Sequence, residues 1–164
     1  MIKKILLALA AVLVLIQFIR PEKNNSDIRI NEMSTKYPMS PEVAATLQVA
    51  CYDCHSNKTT YPWYANIQPV AWWLNHHVEE GKHEINFSDF TSKRMAYQNH
   101  KFEEIAEQLE KKEMPLSSYT YFGLHPQANL SDAQRQMLIS WAKVQMDSIK
   151  AHYPADSLVL RRRG

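Results

Sequence analysis

Both cysteines of the chain fall inside five residues, Cys51-Tyr52-Asp53-Cys54-His55. C-x-x-C-H is the spacing at which two thiols can join the vinyl groups of a haem while the histidine ligates its iron. On a helical turn, positions i, i+3 and i+4 share one face, so the three side chains address the same ligand. Two other chemistries use paired cysteines. A redox disulfide of the thioredoxin type requires a βαβ setting. A zinc site requires more ligands, and without a second cysteine pair these would have to be histidines. The pentad predicts one covalent haem c, with Cys51 and Cys54 as thioether residues and His55 as the proximal iron ligand.

A closed haem iron needs a second ligand from the other side. Seven methionines and six further histidines are available. Met1 lies in the leader, Met33 and Met39 precede the domain, and Met95 and Met137 sit on apolar helix faces, where methionine usually packs. Met114 precedes Pro115, which forces it out of helical geometry and onto a loop, where a thioether can be aimed. Met114 is the expected distal ligand. His77, on the apolar stripe of a helix, is the alternative. His125, beside Pro126, is a candidate contact for a haem propionate. The aromatic group Tyr61, Trp63, Tyr64, Trp72 and Trp73 reads as packed core or haem wall. The carbonyl of Pro62 or Pro69 is expected to accept the Nδ1–H of His55.

Four helical segments must position these groups. The first opens at Ser40 as N-cap with Pro41 next, and its apolar stripe runs into the motif. The second spans about Pro69 to Gly81, with Gly81 read as the stop. The third covers about Ser92 to Lys111. The fourth opens on the capping box Ser131-Asp132-Ala133-Gln134 and ends before Pro154. With three glycines and no alternating apolar run, strands are not expected. The fold class is all-α, one small helical domain over 40–153 around the haem.

The ends carry other signals. Lys3 and Lys4 precede an apolar run from Ile5 to Ile19, broken only by Gln17 and stopped by Arg20-Pro21. Residues 1–20 read as an uncleaved signal anchor in the bacterial inner membrane, or alternatively as a cleaved signal peptide. The rest then faces the periplasm. Residues 21–39 read as a polar tether and 154–164 as a basic tail. Setting aside Lys3, Lys4, Arg20 and Arg161 to Arg163 leaves 13 basic against 17 acidic residues. A body of net charge −4 has no nucleic-acid footprint.

This layout resembles class I c-type cytochromes. More closely, it is similar to a family of small exported bacterial haem-binding domains, from Gln17-Phe18-Ile19-Arg20-Pro21 to about Trp141. Cys51 to Asn57, Tyr61-Pro62-Trp63-Tyr64, Glu113-Met114-Pro115 and Leu124-His125-Pro126 carry the likeness. A segment around Trp72 to Phe90, which brings in His77, departs from class I cytochromes. The resemblance implies haem attachment outside the cytoplasm. The expected function is a membrane-tethered mono-haem electron carrier serving redox partner proteins. The alternatives are a haem enzyme or gas sensor with an open or displaceable distal position, and a haem-bearing interaction module without turnover.

Overall fold

In the computed structural model, residues 1–160 are described; Arg161 to Arg163 of the expected basic tail lie outside them. Among the described residues seven α-helices form in chain order: α1 Ile2–Ile16, α2 Pro41–Ala50, α3 Tyr52–His55, α4 Val70–Glu84, α5 Met95–Glu110, α6 Ser117–Thr120 and α7 Asp132–His152. Two isolated bridges, Asn25 to Lys58 and Asn31 to Asp89, are the only β pairing among the described residues. The all-α expectation holds.

Local chemistry sets the helix starts. The Ser40 hydroxyl accepts the Val43 N–H at 3.2 Å. Ser131 and Gln134 close both bonds of the capping box on α7. Such caps each stabilise a helix by about 1 kcal/mol. Helices α5 and α7 pair along the core, where Phe102 meets Trp141 edge-on at 5.5 Å. Phe102 also packs on Tyr37 at 4.7 Å and Phe90 at 5.3 Å. Trp141 satisfies its indole N–H on the Pro38 carbonyl at 2.9 Å.

Two expectations about the ends change. The N-terminal membrane segment is corrected: no helix among the described residues is long and apolar enough to cross a membrane. Helix α1 has 15 residues, or about 22 Å at the helical rise, against about 30 Å of hydrocarbon. Phe18 and Ile19 belong to the apolar run but not to the helix. Gln17 ends it, and its side-chain amide pairs with the Gln68 backbone at 2.9 and 3.2 Å. The Ile19 carbonyl then accepts from Gln68 and from the Trp72 indole.

The segment read as a tether packs along the domain. Met33 is fully buried and Tyr37 nearly so. The Met33 N–H donates to the Phe87 carbonyl at 2.8 Å. The Asn24 side chain donates to the Ser56 carbonyl and to Thr59, each at 2.9 Å. Polar composition hid two anchoring apolar residues. Beyond α7, Leu158 also rests against the core.

Candidate functional site

Helix α2 ends at Ala50 and the chain turns at once into α3, whose four residues complete the motif. Cys51 and Cys54 are free thiols, both half-buried. Burial pushes Cys51 up to about 12 and Cys54 up to about 11. Thiols held protonated in this way are unlike the low-pKa cysteines of redox C-x-x-C sites. Among the described residues no group of three or more His, Cys, Asp or Glu side chains is placed to hold a metal ion. The zinc reading therefore finds no further ligands there.

His55 is oriented by backbone. Its Nδ1 lies 2.8 Å from the Gly81 carbonyl and 3.2 Å from the Ile85 carbonyl. Two acceptors facing one ring nitrogen assign the proton to Nδ1, leaving Nε2 with the lone pair an iron would take. The acceptors are thus at the end of α4 rather than at Pro62 or Pro69. Burial keeps the ring below its ordinary histidine value, so the neutral, ligating form prevails at pH 7.

Gly81 is not a helix stop. It lies inside α4, where a Cβ would meet the Cys54 carbonyl oxygen at 2.7 Å and the Cys54 Cβ at 3.0 Å. Its missing side chain lets α4 touch the motif and place a carbonyl against His55.

Two adjoining cavities open here, of about 300 Å³ and about 770 Å³, a range suited to a cofactor. His55, Glu84, Met114 and Pro115 line both. Cys51 faces the first, among Leu47, Ile105, Leu109 and Leu138. Cys54 faces the second, with His76, His77, His83 and Tyr119. A donor set of two thiols, one oriented imidazole and one thioether around an apolar cleft fits a haem.

Met114 lines both cavities from the loop after α5. Helix α5 stops at Glu110, Lys112 takes a left-handed φ of 58°, and the Glu113 N–H closes on the Gln108 carbonyl at 3.0 Å. That closure resembles a Schellman end. The Met114 carbonyl accepts from the Arg135 guanidinium of α7 at 2.6 Å.

His77 is half-buried and lines only the second of the two cavities. Its Nδ1 is 2.8 Å from the Trp73 carbonyl, and its ring lies 4.3 Å from that indole. His125 lines neither. It borders a third, apolar groove of about 360 Å³ with Trp63, Tyr64, Trp73 and Leu124, which shares Cys54, His77 and Tyr119 with the second cavity. The aromatic group is accordingly less buried than expected, with Trp63 74% exposed.

Lys101 was missed by sequence reasoning. It is 8% exposed and faces the first cavity. Its ammonium bonds Glu104 at 2.6 Å and Glu84 at 3.2 Å. Burial would lower its pKa, but the two carboxylates outweigh this and hold it above the ordinary lysine value. A signal existed: Lys101 lies four residues before Ile105 and eight before Leu109, on the apolar stripe.

A family model described as "Haem-binding domain" matches residues 11–144, most of the chain. The chain belongs to the haem-binding domain family. Comparison with curated proteins and with solved structures gives no match. Membership accounts for the cleft, and haem is the cofactor of this family member.

His125 supplies a test of pH dependence. The Tyr64 hydroxyl lies 2.9 Å from its Nε2, and burial lowers its pKa. The folded state therefore takes up its proton at lower pH than the unfolded chain, whose histidines titrate near about 6.5. Stability is fully present above that value and declines as pH falls through it. The urea midpoint of haem-loaded protein should drop modestly on acidification, and His125→Phe should flatten that slope. A midpoint that rises on acidification contradicts the assignment.

Proposed function

We propose that this protein is a mono-haem c-type cytochrome that carries electrons in the bacterial periplasm. Cys51 and Cys54 would hold the haem covalently, and His55 and Met114 would be the residues that ligate its iron. The observation that carries the reading is that two adjoining cavities, one lined by Cys51 and the other by Cys54, share His55, whose Nδ1 is committed to backbone, and Met114. Thioether attachment would add each thiol across a vinyl group, sulfur to one carbon and proton to the next, with no oxidant consumed. Haem bound there supplies a one-electron ferric/ferrous couple.

The chain's residues do the remaining work. His55 donates to two carbonyls, which strengthens its Nε2 as a donor. Leu47, Ile105, Leu109 and Leu138 exclude water from the Cys51 side. Lys101 balances negative charge at the cleft. An iron closed by protein on both sides exchanges electrons without binding substrate, which suits a carrier serving redox partner proteins.

The distal ligand decides between carrier and enzyme. Met114→Ala should abolish the ferric sulfur–iron charge-transfer band, lower the potential and open the ferrous iron to carbon monoxide. His77→Ala should leave the band in place. If only His77→Ala changes the ligation, the iron is bis-histidine. Ready carbon monoxide binding by the unaltered ferrous protein would instead favour an open-site enzyme or sensor.

A further inference from the structure

Asp53 is one of the two residues between the cysteines, and its carboxylate is fully engaged. Oδ1 accepts the Thr60 N–H at 2.9 Å, and Oδ2 accepts the Tyr119 hydroxyl at 2.7 Å. Tyr119 belongs to α6, five residues after Met114, and it lines the cleft beside Cys54. Its ring stacks on His125 with centroids 4.0 Å apart and planes 10° from parallel. His125 is tied in turn to the Tyr64 hydroxyl at 2.9 Å.

The segment from Met114 to Tyr119 is thus fastened at both ends. Arg135 holds the Met114 carbonyl from α7, and Asp53 holds Tyr119 from the motif itself. A phenol donating to a half-buried carboxylate is a charge-assisted bond, stronger in this setting than in water.

We propose that Asp53 and Tyr119 are positioning residues for the distal ligand: their bond latches the Met114 loop over the cleft. The short turn that carries the thioether cysteines and the proximal histidine then also sets the distal side. The inference rests on Met114 ligation as proposed above. A thioether is a weak ligand, so its balance between bound and released states responds to how firmly its loop is held. The stacking on His125 fixes the plane of the Tyr119 ring, so the hydroxyl meets Asp53 without a search among rotamers.

The test uses the full, haem-loaded chain carrying Tyr119→Phe or Asp53→Asn. Tyr119→Phe keeps the stack and removes only the hydroxyl, so loading of the cofactor should persist. Asp53→Asn keeps one acceptor and provides a second, independent lesion. Each should weaken the ferric sulfur–iron band and raise the rate of carbon monoxide binding to ferrous protein roughly tenfold. That corresponds to about 1.4 kcal/mol in the loop equilibrium. Because both variants break one contact, the double variant should add little to the larger single effect. A contact that serves only the scaffold would lower the unfolding midpoint and leave both readouts unchanged. That outcome, in a protein whose unaltered form shows the band, overturns the latch and spares Met114 ligation. Absence of the band from the unaltered protein overturns both.

Discussion

The double variant Cys51→Ala, Cys54→Ala should lose all covalent haem when made in a host competent for c-type maturation. After denaturation the unaltered protein should retain its haem and give a bis-thioether pyridine haemochrome. The variant should release whatever haem it holds into acid–acetone. Each single variant should keep one thioether and an intermediate haemochrome spectrum. The expectation follows from placement: both thiols are free and protonated, and they line two adjoining cavities that share His55 and Met114. Stability should fall with the cofactor. The cavity beside Cys51 measures about 300 Å³ and is walled by Leu47, Ile105, Leu109 and Leu138. Loss of the cofactor would return these apolar walls to water, at about 25 cal/mol per Å² of surface. Haem fully extractable from the unaltered protein would end the c-type reading.

The second large effect is expected at Gly81. A valine there puts a branched Cβ against the Cys54 backbone, whose oxygen would lie 2.7 Å away and cannot rotate aside. Either α4 or the motif must move. The carbonyl of residue 81 is also the nearer acceptor for His55 Nδ1, so a shift there releases the proximal imidazole as well. Overpacking of this kind costs about 1–3 kcal/mol. Gly81→Val should therefore unfold at lower temperature and carry well under one haem per chain, with Gly81→Ala milder in both. Full loading together with an unchanged midpoint would show that the close approach is unimportant.

Short-range chemistry was the legible part of this protein. The C-x-x-C-H pentad, the Ser40 and Ser131 caps and the departure from helix before Pro115 each depend on neighbours within a few residues. They appear where the spacing puts them. What the sequence hid was contact across distance. Gly81 looks like a helix end because glycine often ends helices, yet its neighbour in space is Cys54. Gln17 looks like one polar residue inside an apolar run, yet it pairs with Gln68 and ends the helix early. Asp53 and Tyr119 lie 66 residues apart, so no local pattern links them. Lys101 went unremarked in the sequence because lysine is usually solvent-facing, although its place on the stripe of Ile105 points inward.

The packed segment before α2 changes where the domain begins. Asn24 grips the chain just after the motif, and Met33 bonds Phe87, whose ring lies 5.8 Å from that of His55. The span from Asn24 to Tyr37 is a belt drawn around the back of the cofactor cleft, with its buckle behind the proximal histidine. Whatever befalls the residues ahead of the belt, a cut before Asn24 leaves the cleft its backing. A cut at Met39 would strip Met33 and Tyr37 from the core and leave Phe87 without its brace.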